Sequence, residues 1–362
     1  MRRLRSAPPV YLLIVIVAIF FLGLPTVVSS YIASEWGQAL ILAIAIMGLN
    51  ILVGYSGQLS LGHGAFMAIG AYISSILAHR YHVDYVATIP IAGLVTGVVG
   101  FLFGIPSLRL SALYLALATF ALAVVAPSLI KRPAAYTGGV QGILVAQPDP
   151  PAFASSLFSS VTGTVMTSDQ WIYYVILVIT AVLFWLAWNL VRQRPGRAMQ
   201  AIRDGEVAAA ASGVNIAAYK TLAFGISTFY AGIAGSLFGL STGFVSPDTF
   251  PVALSIQLLV GAVVGGLASI PGPLLGAIFA YFLPIESSQW VPSQTWLPAQ
   301  IIATVKSAGP AVSYGAILIA VMIFVPNGLV GLIRTGYEAL RSRLRGATDR
   351  ETGQMPPDPQ TV

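Results

Sequence analysis

The residue types best suited to handling a solute are gathered in one run, Asn50 to Tyr72, NILVGYSGQLSLGHGAFMAIGAY. Tyr55, Ser56, Gln58, Ser60 and His63 are interleaved there with Gly54, Gly57, Gly62 and Gly64, between two apolar stretches. Glycine lets the backbone leave helical geometry, and the polar side chains offer hydrogen-bond donors and acceptors. Irregular polar chain survives at membrane depth only where protein or a water-filled cavity covers it. The run fits a broken helix beside a pathway, and it also fits a plain turn followed by helix packing on small residues. His63 suits a hydrogen-bonded packing role or a proton relay.

A second group lies between Arg192 and Lys220. Asp204 is placed to cap a helix, Glu206 would sit in its first turn, Val207 to Ala211 favour helix, and Gly213 is a stop signal. A unit of about two turns is too short to be stable alone, so it is expected to dock on something. The plainer alternative is a linker helix whose arginines rest on anionic lipid. His79, His82 and Asp84 could be drawn as a metal site, but a short polar loop between two spans is the simpler reading.

Absent chemistry narrows the choice further. No Gly-x-x-x-x-Gly-Lys-Ser/Thr loop occurs, because Lys220 and Lys306, the lysines followed by Thr or Ser, do not follow glycine. The chain is therefore no P-loop ATPase. There are no cysteines, which removes disulfides, thiolate metal sites and cysteine nucleophiles. The expected spans contain no deep Asp, Glu, Lys or Arg, groups that ion-coupled carriers commonly place there. Energy is expected to come from another subunit.

The elements that position these groups follow from composition. Of 362 residues, 57% are hydrophobic and only 8% charged, with a mean hydropathy of +0.84, far from the soluble average. Crossing about 30 Å of hydrocarbon takes roughly 20 apolar residues. Spans are predicted at 10–28, 37–53, 61–78, 86–104, 111–130, 171–191, 221–243, 251–268, 272–284 and 311–333. The first is too long for a cleaved signal and reads as a retained span. The fold class is an all-α polytopic membrane protein of about ten transmembrane helices, some short or discontinuous.

With the N-terminus inside, 14 of the 18 Lys and Arg residues fall inside and four (Arg80, Lys131, Arg132 and Lys306) outside, which favours N-in and C-in. The net charge of +6 arises from these flanking cations rather than from one basic face, so no nucleic-acid partner is implied. A membrane domain is expected over 1–333. Within it lie an external loop at 133–170, rich in Pro, Gly, Ser and Thr, and a cationic internal loop at 192–220. A third external segment, Glu286 to Pro310, carries Trp290 and Trp296. The tail 334–362 reads as disordered and cytoplasmic. Four Gly-x-x-x-Gly pairs, beginning at Gly100, Gly235, Gly261 and Gly272, are expected to serve packing within the chain.

The run Gly48 to Tyr72 resembles the permease subunits of high-affinity branched-chain amino-acid ABC importers. Four further segments are similar to the same family in the same order: Tyr136 to Ile143, Gly196 to Arg203 with Gly213 to Ile216, Gly265 to Ala277, and Val325 to Gly331. The likeness covers about Gln38 to Leu332 and is closer to the LivM type than to the LivH type. It implies a permease without catalytic residues, cofactor or resident metal of its own, in the bacterial cytoplasmic (inner) membrane. Its implied partners are a homologous permease subunit, two cytoplasmic P-loop ATPases that use ATP and Mg, and an external solute-binding protein. Arg197, Arg203, Asp204, Glu206 and Gly213 map onto the ATPase-coupling loop, and Tyr55, Ser56, Gly57, Gln58, Ser60, Gly62 and His63 would line or gate the path. Glu206 stands seven residues before Gly213, one more than the Glu-Ala-Ala spacing of many ABC importers. Two other classes share the apolar spans: a self-sufficient ion-coupled carrier or channel for a small polar solute, which also fits the broken helix, and a membrane-embedded enzyme, which the lack of a clustered acid–base pair disfavours. The likeness leaves the substrate open among branched-chain and other amino acids, urea or amides, and small carboxylates.

Overall fold

The computed structural model describes residues 20–108, 110 and 112–293, and beyond these 315, 319, 323, 328–332, 334 and 335. The first ten residues of the predicted span 10–28, Arg109, Trp296, Lys306, most of the span 311–333 and the tail after residue 335 lie outside the described residues.

In hydrocarbon every backbone amide and carbonyl has to find a partner within its own segment, so the apolar stretches fold as helices. Helix α1 (20–27) precedes α2 (Ser30–Asn50), which runs directly into a π-helical turn at Ile51–Tyr55. Next come α3 (His63–Tyr81), α4 (Tyr85–Ser107) and α5 (Ala112–Lys131). A single turn, α6 (Ala134–Thr137), and strand β1 (Ile143–Leu144) lead to α7 (Ala152–Thr162) and α8 (Ser168–Arg192). Two short helices, α9 (Arg194–Asp204) and α10 (Glu206–Ala211), precede α11 (Ile216–Thr242). Strand β2 (Phe244–Val245) and a 3-10 turn (Pro247–Thr249) then enter α12 (Val252–Gly265) and α13 (Gly272–Ser293).

The bundle has two rims. At one, β1 pairs antiparallel with β2, Ile143 opposite Val245 and Leu144 opposite Phe244, and Lys131 at the end of α5 reaches Asp248 at 2.7 Å. At the other, α9 and α10 pack against each other and the ends of their neighbours. Helices α2 and α11 form the centre: α11 packs on α2, α3 and α4, and nearly all of α2 is buried. By contrast α4, α5 and α8 turn large apolar side chains outward, among them Leu94, Val98 and Leu102, Leu113 and Leu117, and Val178 and Val182. Six segments of the described chain are long and apolar enough to cross a membrane: Ser30–Tyr55, Tyr85–Ser107, Ala112–Lys131, Ser168–Arg192, Ile216–Thr242 and Pro247–Gly265. The protein is an α-helical, multi-pass membrane protein.

Close helix approach and interhelical hydrogen bonds hold the centre, as expected where lipid removes any hydrophobic advantage of helix contact. A Cβ on Gly235 would collide with the Met67 carbonyl of α3, and one on Gly100 with Thr228 of α11. Gly261 and Gly265 of α12 face Gly276 and Gly272 of α13 in the same way. All four spaced glycine pairs thus pack within the chain. The Ser74 and Ser236 hydroxyls lie 2.5 Å apart, Tyr85 Oη donates to the Ser236 carbonyl at 2.9 Å, and Tyr230 Oη donates to Leu183 at 2.7 Å.

Several predicted boundaries move for identifiable reasons. Helix α2 begins at Ser30 rather than 37, drawing half-buried Glu35 into its second turn, because a carboxylate near a helix end reaches the polar rim. Helix α13 passes Pro284 and continues to Ser293, so part of the expected external segment, with Trp290, is helical. Prolines are tolerated inside membrane helices when neighbours satisfy the freed carbonyl, and Pro90, Pro106 and Pro127 are further cases. The loop expected at 133–170 holds α6, β1, α7 and the start of α8, whose first turn is fixed by a reciprocal cap between Thr167 and Gln170.

Candidate functional site

The polar run after α2 is a helix, a tight reversal and an extended leg. Ile51 to Tyr55 form the π-turn, after which Ser56 and Gly57 still donate to the carbonyls of Ile51 and Val53. Gly57 then adopts φ +72°, a left-handed conformation that reverses the chain and that glycine enters without steric cost. From Ser56 to Gly62 burial alternates: Ser56, Gln58, Ser60 and Gly62 face the bundle, whereas Gly57 and Leu59 are exposed and Leu61 is half-buried. That period of two is the signature of extended chain.

The leg climbs back into the bundle. Gln58 Nε2 donates to Ser56 Oγ at 2.8 Å and to the Lys220 carbonyl at 3.1 Å, near the start of α11. The Leu61 amide donates to Thr119 Oγ1 at 2.9 Å, and Gly62 lies against the Thr119 carbonyl. His63 opens α3 fully buried, its Nε2 over Gly48. Gly48 is seven residues from the end of the π-turn and Thr119 seven from the start of α5, which sets the top of the leg about 10 Å inside the rim. The Ala45 carbonyl faces the His63 ring, but neither ring nitrogen completes a hydrogen bond.

The loop between α8 and α11 is a helix pair rather than one short helix. Asp204 closes α9 instead of capping the next helix, and Gly205, with extended φ of 177°, stands between the two. The physical reason is that Arg194 to Asp204 form a strongly amphipathic helix of their own, with Pro195 in its first turn and Ala198, Met199 and Ile202 buried. Glu206 does begin α10, and Gly213 ends it at φ +82°, where Gly213 and Val214 donate to Ala210 and Ala209. Arg197 is exposed and turns back to the Arg192 carbonyl at 3.0 Å.

The structure brings the two predicted groups together. Arg203 Nη1 donates to the Gly54 carbonyl at 2.5 Å, and its stem covers Gly57, where a Cβ would come 3.1 Å from Arg203 Cγ. Glu206 pairs with Lys220 at 2.6 Å, and the carbonyl of that same Lys220 receives Gln58. Two routes therefore join α9 and α10 to the broken helix. Asp204 contributes only a 3.8 Å approach to Arg203, and the described contacts do not tie Arg197 or Gly213 to the leg.

Three participants escaped the sequence reading. Lys220 and Thr119 carry no motif, and their partners are distant in the chain. Asn50 is fully buried and bridges the turn between α12 and α13, donating to the Ser269 carbonyl at 2.7 Å and accepting from the Ala268 amide at 2.9 Å. A lone Asn ending an apolar run was a usable signal for it. At the opposite rim His79, His82 and Asp84 line an open cavity of about 680 Å³ with Ser75, Tyr85 and Gln147, while Asp84 caps α4 through the Val86 amide. Among the described residues no three His, Cys, Asp or Glu side chains converge to hold a metal.

A central broken helix, tied at one rim to a short helical pair, defines the class of the fold: a multi-pass helical membrane bundle built around an interrupted helix. The profile of the family described as "Branched-chain amino acid transport system / permease component" matches residues 31–326, and the chain belongs to that family. The chain is 32% identical over 323 residues to the high-affinity branched-chain amino acid transport system permease protein LivM of Salmonella typhimurium, covering 85% of this chain and 72% of that protein. To LivM of Escherichia coli it is 37% identical over 246 residues, 64% of this chain and 58% of that one. The ribose import permease protein RbsC of Haemophilus influenzae is 26% identical over 181 residues, 40% of this chain and 55% of its own. No solved structure matches the chain. It is a transport permease component.

Proposed function

We propose that the chain is the membrane-spanning permease of an ABC importer for branched-chain or related amino acids, driven by ATP hydrolysis in a separate subunit. The LivM likeness supports the substrate class. In this reading residues 1–333 cross the bacterial cytoplasmic membrane about ten times with both termini inside. The rim bearing α9 and α10 is cytoplasmic, and the tail 334–362 extends from it. Two cytoplasmic P-loop ATPases using ATP and Mg act on α9 and α10, a homologous permease completes the membrane unit, and an external solute-binding protein delivers solute to the β1–β2 rim.

The observation that carries the proposal is the double connection of that short helical pair to the broken helix, through Arg203 to Gly54 and through Glu206 and Lys220 to Gln58. A push on α9 and α10 has only these short links to cross before it reaches Tyr55 to His63. The segment from Tyr55 to His63 then lines or gates the path, with Gly57 the reversal and Gly62 the close approach to α5.

The test is a pull-down of the tagged protein from its native membrane in mild detergent, followed by leucine uptake in vesicles made from what copurifies. Recovery of P-loop ATPases and a second permease, with uptake that needs ATP, is the expected result. Recovery of the chain alone, with uptake driven by an ion gradient, would instead make it a self-sufficient secondary carrier and reduce α9 and α10 to a linker.

A further inference from the structure

The leg from Gly57 to Leu61 leaves most of its backbone polar groups unpaired within the described chain. Among the described residues the carbonyls of Gly57, Gln58, Leu59, Ser60 and Leu61 accept no hydrogen bond, and the amides of Leu59 and Ser60 donate none. Open backbone of this kind is excluded from lipid, since each unmet group in hydrocarbon costs several kcal/mol. Yet the leg is not sealed: Leu59 is 40% exposed, part of the way to a level about 10 Å inside the rim. The side onto which Leu59 opens therefore faces water or a passing solute, not acyl chains.

The chemistry of that side is specific. Acceptors outnumber donors, which favours a group rich in N–H, and a positive charge gains further from carbonyl dipoles. A carboxylate finds fewer partners there, the Leu59 and Ser60 amides, because Gln58 Nε2 is already bound to Ser56 and Lys220, and Arg203 is committed to Gly54 at the foot of the leg. Leu59 adds exposed apolar surface between carbonyls that extended chain turns to alternate edges.

We propose that the backbone of Gly57 to Leu61 is an acceptor stripe over which an apolar, amine-bearing solute passes, its ammonium group on the carbonyls and its hydrocarbon part on Leu59. This rests on the permease reading above and adds to it the end of the solute that is held and the atoms that hold it. Side-chain chemistry in this run would then matter less than keeping its backbone extended.

The chain has no cysteine, so a single Leu59→Cys gives one reactive thiol in this subunit. The experiment labels it with a charged, membrane-impermeant methanethiosulfonate in vesicles of the assembled transporter, with partner cysteines removed. Leu94→Cys, on the outward face of α4, is the lipid-side control. Leu59→Cys is expected to react while Leu94→Cys does not. Leucine and isoamylamine should slow the reaction, by about threefold at twice the dissociation constant as occupancy dictates, whereas 4-methylpentanoate should not. No labelling of Leu59→Cys, or equal protection by 4-methylpentanoate and isoamylamine, or none by the amine, would overturn the stripe. Leu61→Cys repeats the measurement should Leu59→Cys fail to assemble. Leucine uptake by the unsubstituted transporter separates the two levels: its absence sinks the permease reading, whereas its presence with unprotected labelling sinks the stripe alone.

Discussion

Substitution of Arg203 tests whether α9 drives the broken helix. The guanidinium makes one charge-assisted hydrogen bond, to the Gly54 carbonyl at 2.5 Å, and its stem lies over Gly57. Bonds of this type contribute about 1.5–3 kcal/mol. With 41% of the Arg203 side chain exposed, the lower end applies, and about 1.4 kcal/mol is a factor of ten in an equilibrium. If the bond is made in one transport state and broken in the other, Arg203→Ala should lower the ratio of leucine taken up to ATP hydrolysed about tenfold, while hydrolysis by the partner persists. Arg203→Lys keeps a donor and a charge but lacks the planar fork, so its ratio should fall between the two.

Gly57 provides the cross-check. Alanine there has to hold φ +72°, at a cost of about 1–2 kcal/mol, and its Cβ would press on Arg203 Cγ at 3.1 Å. Removing the Arg203 side chain relieves the second effect and not the first, so Gly57→Ala with Arg203→Ala should be less harmful than the sum of the single changes. The assay is a double-mutant cycle on the uptake-to-hydrolysis ratio in proteoliposomes, with thermal unfolding in detergent as the folding control. An unchanged ratio in Arg203→Ala, or additivity within about 0.3 kcal/mol, would refute a mechanical contact between these residues.

Reversing the charge of Glu206 with Lys should uncouple hydrolysis from uptake, and pairing it with Lys220→Glu separates two causes: recovery assigns the effect to the 2.6 Å ion pair, whereas continued uncoupling assigns it to a partner's contact with Glu206. Gly62→Val should reduce uptake strongly, because a Cβ there would lie 2.6 Å from the Thr119 carbonyl, an overpacking cost of about 1–3 kcal/mol; normal uptake would confine Gly62 to a spacer role. Asn50→Ala should lower the thermal midpoint, with about 1–3 kcal/mol for each backbone group left unpaired at Ser269 and Ala268, and Asn50→Asp should lower it further by setting a carboxylate against the Ser269 carbonyl. Wild-type midpoints in both variants would show that the α12–α13 turn needs no such bridge.

How much of this could be read from the sequence depended on the distance over which each feature is determined. Helices were legible because twenty apolar residues have one solution in lipid, and their errors fell where a local rule met a tertiary one. Glu35 ends an apolar run and Pro284 breaks a helix in water, but neither ends a helix at a membrane rim or inside a bundle. Asp204 looked like a cap because Glu206 and Gly213 framed a helix after it, yet burial of Ala198, Met199 and Ile202 claimed it for the helix before.

The broken segment was located by its glycines, but its conformation was written in a second signal. In Ser-Gly-Gln-Leu-Ser-Leu-Gly, residues 56–62, the polar side chains stand at 56, 58 and 60, and a period of two belongs to extended chain rather than to a turn or a helix. What no local pattern could supply is the partner of each group. Arg203 finds Gly54 across 149 residues and Gln58 finds Lys220 across 162, and only the crossing of α2, α9 and α11 sets those meetings. The same crossing explains why the leg tolerates open carbonyls. Its Gln58 side chain is held by α11, its Leu61 amide by α5 and its foot by Arg203, so the backbone stays extended without a neighbouring strand. A helix there would have hidden the carbonyls from a solute, and a paired strand would have consumed them. Anchoring through Gln58, the Leu61 amide and Arg203 thus leaves the remaining carbonyls open, as the proposed passage of solute requires.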